Sequence, residues 1–314
     1  MTRRDVADML LLAALWGGSF LFMRIAAPQF GAFALMALRT GIGAAVLLPF
    51  VLRAGGSIEL RANAGRIAWI GLLNSALPFV MLGYAMQHLD AGFASILNAT
   101  TPFWGAIVAF LWLGERLGRL GVVGLMVGFG GVLVLVGGRD GLVADGAIVP
   151  ILASLVATAS YGVAATATRK QLGHVSTLVG AAGSQMFAAL LLLPFALAWW
   201  PSTPPDALAW LSVALMGVLC TGLAYLLFFR LIARIGSNKT ITVTFLIPAF
   251  GMLWGSLFLG ETISASMLAG AATILVGTAL TTGLIAPGRR AAAAAAAPSA
   301  PAAGELVDRP RSRG

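Results

Sequence analysis

Residues 94–117, ASILNATTPFWGAIVAFLWLGERL, lie over residues 240–263, TITVTFLIPAFGMLWGSLFLGETI, at a constant offset of 146. Pro102 meets Pro248, Gly105 meets Gly251, Gly114 meets Gly260, and Glu115 meets Glu261. The same offset pairs Gly71 with Gly217, Gly124 with Gly270 and Gly131 with Gly277, so the match outruns one local motif. Nearer the N-terminus it slips by one residue, setting Trp16-Gly17 on Tyr161-Gly162, Arg24 on Arg169 and Pro49 on Pro194. The chain reads as a tandem duplication, with one copy over 1–140, a second over 141–286 and a tail over 287–314. Each copy holds five apolar segments, and an odd number of spans forces the second copy into a membrane inverted relative to the first.

Composition sets the class. With 59% hydrophobic residues, 10% charged residues and a mean hydropathy of +0.94, the 314-residue chain reads as an all-α polytopic membrane protein. Apolar stretches long enough to cross a hydrocarbon core run over 5–27, 30–52, 67–87, 91–113, 119–137, 146–168, 175–198, 208–229, 238–259 and 263–285. Ten transmembrane helices in two inverted five-helix repeats are therefore expected. The first apolar run follows Arg3 and Arg4 as a signal peptide would, but it is long and no small-residue cleavage site follows Ala27, so it reads as a retained helix.

The net charge of +9 follows the loops and not one helix face, which argues against nucleic acid as a partner and gives an orientation instead. With the N-terminus inside, 17 of the 20 Lys and Arg fall on cytoplasmic segments, from Arg3, Arg4, Arg53, Arg61 and Arg66 through Arg169 and Lys170 to Arg309, Arg311 and Arg313. Outer loops keep only Arg139, which places both termini in the cytoplasm. Residues 286–314, rich in Ala, Pro and Arg, read as a disordered cytoplasmic tail, solvated or touching anionic lipid. The lone Cys220 lies in an apolar span and reads as a small core residue with no disulfide partner. His88 and His174 sit in loops, and HExxH, CxxC and paired membrane carboxylates are missing from the sequence, so no enzyme, metal or cofactor is expected.

Polar residues within the spans are the candidates for a pathway. Pro102 and Pro248 sit near the centres of their spans, where a helical proline frees the carbonyl four residues earlier, here Asn98 and Thr244. Pro78 does the same for Asn74. Each reads as a structural kink or as a gate that bares polar groups at the midplane. Helical spacing groups Trp16, Ser19, Phe20 and Met23 on one face, Ser154, Thr158 and Tyr161 on another, Thr221, Tyr225 and Phe228 on a third, and Ser95, Asn98 and Pro102 on a fourth. These stripes are helix contacts or the wall of a neutral, aromatic cavity. Arg39 is the one charge deep in a span, where a cation costs at least about 2.5 to 3.5 kcal/mol, so it either ties helices together or meets a substrate carboxylate. Glu115 and Glu261, each following a glycine, read as caps of the helices that follow them. Gly118, Gly121, Gly124, Gly128 and Gly131 in the fifth span, with Gly270 and Gly277 in the tenth, predict a close pairing of those two helices, a dimer face being the alternative.

LWGGSF at 15–20, the Pro102 segment ending in LGERL and its echo ending in LGET resemble the EamA family of the drug/metabolite transporter superfamily. The resemblance covers about residues 5–285. It implies two inverted repeats, a bacterial inner membrane location, and export of small metabolites, often amino acids, through a cavity lined by the first, third, fourth, sixth, eighth and ninth helices. The second copy departs from the pattern in having Tyr161 where Trp16 stands and Thr262 where Arg116 stands. The expected function is export of a small neutral or zwitterionic metabolite by alternating access, from a monomer or weak homodimer. Trp16, Ser19, Phe20, Arg39, Asn74, Asn98, Tyr161, Tyr225 and Thr244 are the expected binding residues. Efflux of cationic drugs is the alternative; residues 9–26 lack the membrane glutamate that proton-coupled members of the small multidrug branch carry in their first helix.

Overall fold

The computed structural model describes residues 1–139 and 146–284, so the expected tail over 287–314 lies outside the described residues. Among those residues every regular element is a helix: α1 (Arg3–Arg53), α2 (Ser57–Ala62), α3 (Ala64–Gly71), a π-turn at Leu72–Ala76, α4 (Leu77–Ala85), α5 (Ala91–Asn98), α6 (Thr101–Leu113) and α7 (Arg119–Gly137). After these come α8 (Ile148–Gln171), α9 (Thr177–Ala198), α10 (Ala207–Gly217), a second π-turn at Val218–Leu223, α11 (Ala224–Ile235), α12 (Ser237–Thr240), a 3₁₀ turn at Ile241–Phe245, α13 (Ile247–Leu259) and α14 (Ala265–Thr281). Seven continuous helical stretches are long and apolar enough to cross a membrane, and α13 and α14 are shorter apolar helices. Large side chains such as Leu111, Leu133 and Leu257 are well exposed, an outer surface suited to lipid and not to water.

The first two expected spans run together as α1, but Gly31 inside it stands at φ 70°, ψ 165°. That backbone is open to glycine and strained for other residues, so the chain turns there between two helical arms without a loop. Consecutive helices then run between two ends of the molecule. The proximal end carries the N-terminus, and the distal end carries the Gly31 turn. Asp8 accepts from Arg230 at 2.7 Å at the proximal end, while Gln29 and Asp206 bond each other at the distal end. Asp206 also caps α10 through the Ala209 amide, and that bond together with the one from Gln29 holds its carboxyl below the usual carboxylate range.

The offset of 146 reappears in the backbone. The two π-turns begin at Leu72 and Val218, 146 positions apart, each inside an apolar span. Helices α6 and α13 each run 13 residues, carry a proline at their second position and end on a left-handed glycine, Gly114 and Gly260, both at φ 68°. The glycine after each aromatic at 16 and 161 has the same task in both copies. Cβ atoms built there would press on the α13 backbone beside Gly17 and on the α6 backbone beside Gly162, so only glycine lets these helices touch. Gly124, Gly128 and Gly131 of α7 meet Gly270, Gly277 and Ile274 of α14, with a Cβ on Gly277 falling 2.6 Å from the Gly128 backbone. Gly118 of the predicted glycine line faces open space instead.

Two local expectations are corrected. Two of the three prolines do not kink helices at mid-span. Pro102 and Pro248 occupy the first turns of α6 and α13, after breaks at Ala99–Thr100 and Leu246, where their missing N–H removes no helical bond. The Asn98 carbonyl is not bare, because it accepts from the Thr101 hydroxyl at 2.8 Å. Pro78 differs, because the helical stretch runs unbroken from Ala64 to Ala85 and Pro78 lies within it, just after the π-turn that contains Asn74. The glutamates do not cap the helices that follow them either. α7 has Gly118 at its N-cap, and α14 is capped by Ser264, which accepts from the Met267 amide at 3.1 Å.

Candidate functional site

Arg39, on the second arm of α1, is 6% exposed and faces no carboxylate among the described residues. Its Nε donates to Thr221 Oγ1 at 3.2 Å, Nη2 to Ser19 Oγ at 3.5 Å, and Nη1 points at the Met23 sulfur at 3.7 Å. The guanidinium plane lies 4.0 Å over the Phe79 ring, a cation–π contact that replaces part of its hydration. Tyr161, Cys220 and Tyr225 stand within electrostatic reach of it. The site is thus a fixed positive charge in a neutral aromatic cage, with donors left over for an incoming acceptor. The π-turn at Val218–Leu223 explains how Thr221 gets there. Its hydroxyl donates back to the Met216 carbonyl, five residues earlier, which leaves the oxygen turned toward Arg39.

The other π-turn builds a mirror of this contact. Ser75 Oγ accepts from Gln185 Nε2 at 2.9 Å, and Ser75 and Gln185 stand 146 positions from Thr221 and Arg39. One copy thus contributes a guanidinium and the other an amide at equivalent places. Gln185 is fully buried, and its Oε1 has no partner. The Tyr225 hydroxyl lies beside the Asn74 and Gln185 amides. Sequence reasoning named Arg39, Ser19, Asn74, Tyr161 and Tyr225 but missed Gln185, Ser75 and Phe79. The unbroken offset was the available signal, since it carries Arg39 onto Gln185.

The remaining predicted residues make no hydrogen bond to Arg39. Trp16 packs against Phe228 at 5.3 Å between ring centroids, and Phe20 is buried in the core. Thr244 lies in the 3₁₀ turn with its hydroxyl on the Ile241 carbonyl. Asn98 makes no recorded bond to the Arg39 group, although its buried Oδ1 is unpaired, as is Trp104 Nε1.

At the distal end Glu261 accepts from the Ala91 and Gly92 amides at 2.7 and 3.1 Å, capping α5, a helix from the other copy. Burial pushes its carboxyl above the usual range, with the two amides pulling the other way. Arg24 donates to the Met86 and Gln87 carbonyls, both at 3.1 Å, and shares with Glu261 and Asp90 a polar recess of about 500 Å³. At the proximal end Glu115 instead binds Arg169 at 2.6 Å, and both side chains are exposed. This hydrogen bond holds the Glu115 carboxyl below its ordinary range.

The model of the EamA-like transporter family matches the chain twice, over residues 7–137 and 148–283. The uncharacterised transporter YoaV of Bacillus subtilis is 26% identical over 272 residues, which is 85% of this chain and 93% of that protein. A probable terminal-alkyne amino-acid exporter of Streptantibioticus cattleyicolor is 25% identical over 284 residues, 88% of this chain and 93% of its own length. One crystal structure superposes with a TM-score of 0.64 at 22% identity, covering 93% of this chain and 99% of that one, a likeness of fold.

Proposed function

From the premise that this chain belongs to the EamA-like transporter family, and so is a membrane transporter, we propose that it exports a small zwitterionic metabolite, such as an amino acid, by alternating access. The observation that carries the reading is Arg39, a buried guanidinium with no carboxylate partner among the described residues. An unpaired charge there is expensive, and a substrate carboxylate is the group that would neutralise it with two parallel hydrogen bonds. The orphan Gln185 Oε1 and the Tyr225 hydroxyl supply neutral acceptors for an ammonium. A cationic drug would meet repulsion at the same place. The similarity to an amino-acid exporter supports the same substrate class.

The architecture that goes with this function is ten spans in two inverted five-helix repeats, with both termini cytoplasmic in a bacterial inner membrane. The paired π-turns and paired proline-to-glycine helices support the repeat, and the arginine distribution supports the orientation. Counterflow in proteoliposomes with a panel of labelled amino acids tests the proposal. Saturable exchange of one side-chain class, lost in Arg39→Gln, is the expected result. Movement of cationic dyes with no amino acid exchanged would overturn it in favour of drug efflux.

A further inference from the structure

The two ends of the molecule hold repeat-equivalent residues in different arrangements. Glu261 and Arg24 at the distal end correspond to Glu115 and Arg169 at the proximal end. Each member of the distal pair holds backbone, the glutamate crossing between the copies to the first amides of α5 and the arginine taking, within its own copy, the carbonyls just past α4. The proximal pair is engaged only with itself, in solvent. An independent contact shows the same difference. Gly251 of α13 presses directly on Ser95 of α5, whereas its mate Gly105 of α6 has nothing within 4 Å of a built Cβ. Thus α13 is closed onto α5 at the distal end, and the reciprocal closure of α6 onto Ser237–Phe245 has not been made.

We infer that Glu261–Arg24 and Glu115–Arg169 are two latches of one device, fastened alternately. The structure is the state in which the distal latch is fastened and the proximal latch is released. In the opposite state Glu115 leaves Arg169 for the amides of Ser237 and Asn238, the positions equivalent to Ala91 and Gly92. Arg169 turns to the carbonyls of Ile232 and Ala233, the positions equivalent to Met86 and Gln87. Glu261 and Arg24 let go in the same movement, and Ser95 is uncovered. The Glu115–Arg169 bond is then a parking arrangement for two groups awaiting their buried partners. An exposed ion pair is a weak hold, so it releases readily. This inference rests on the inverted-repeat, alternating-access reading, and it adds the side chains that fasten each end.

Ser95 supplies the readout. It is fully buried beneath Gly251, so a cysteine placed there in a Cys220→Ala background reacts with a maleimide only when the distal end opens. Labelling rates are measured on the purified full chain in nanodiscs, with circular dichroism confirming that each variant is folded. Glu261→Gln should raise the rate about three- to tenfold by weakening the distal latch, and Glu115→Gln should lower it by a similar factor by weakening the other one. Arg24→Gln, which leaves the Glu261 cap in place, provides a second distal variant and should also raise the rate. Unchanged rates, or glutamate variants that shift labelling in the same direction, overturn the inference. No substrate is needed, so failure here is separate from failure of the amino-acid counterflow experiment.

Discussion

In the proposed function Arg39 is the side chain that meets the substrate. Its stacking on Phe79 and its directed bond to Thr221 use the flat face and the fork of a guanidinium, which an ammonium has no means to copy. Arg39→Lys and Arg39→Gln should therefore both reduce counterflow at least about tenfold, with both variants expected to reach the membrane intact. Thr221→Val, which removes the bond to Arg39 together with the hydroxyl's bond to the Met216 carbonyl, should cost about three- to tenfold, read in the same assay. The charge was legible from sequence because an arginine in an apolar span is conspicuous. Its mate Gln185 was not, because a lone amide in an apolar helix carries no sign of burial. Only the offset taken without its slip identifies that residue. Glu261 was seen as a cap, but the helix it caps is 169 residues away in sequence, a relation that only the folded chain discloses.

Helices in this protein are defined by how they start, stop and touch. The glycine line of α7 against α14 was readable because small residues at spacings of three and four leave a groove that needs a partner. Gly277→Leu should push the pair apart and sharply lower the melting temperature, measured in detergent, whereas Gly118→Leu, facing open space, should leave it unchanged. The π-turns were not readable. Nothing in Leu72–Ala76 or Val218–Leu223 distinguishes a π-turn from an α-turn locally, whereas proline rules did place Pro78 inside a helix. The same rules failed at Pro102 and Pro248, because a proline that ends one helix and one that starts the next look alike until the break is seen. At the distal end Asp206 has a depressed pKa, so the stability it adds is present above the ordinary carboxylate value of about 4 and lost as pH falls through the lowered one. Asp206→Ala should melt earlier than the wild type at neutral pH, and that difference should vanish in acid.

At the scale of the whole molecule the two copies are interleaved, not side by side. α7 lies on α14, α13 on α5, the second arm of α1 on α9, and α6 on α8. Neither half can cover its own contact faces. Residues 1–140 expressed alone should therefore aggregate in detergent, and co-expression with 141–314 should restore a monodisperse species on size exclusion. A bound amino acid at about 100 times its Kd should add about 2.7 kcal/mol to the stability of the wild type and nothing to Arg39→Gln. The duplication itself was the most legible feature, since matched prolines, glycines and glutamates survive in the letters. The unequal arrangement of the two ends was not, because Glu115 and Glu261 read alike in the letters while their partners differ in the fold. The seam of glycines between α7 and α14 has its own consequence: its two sides come from the two copies. A half-length chain carrying a single copy would find that complementary groove only on another molecule. For such a protein the contact would be a subunit interface subject to dilution, and gene fusion converts it into a permanent feature independent of concentration.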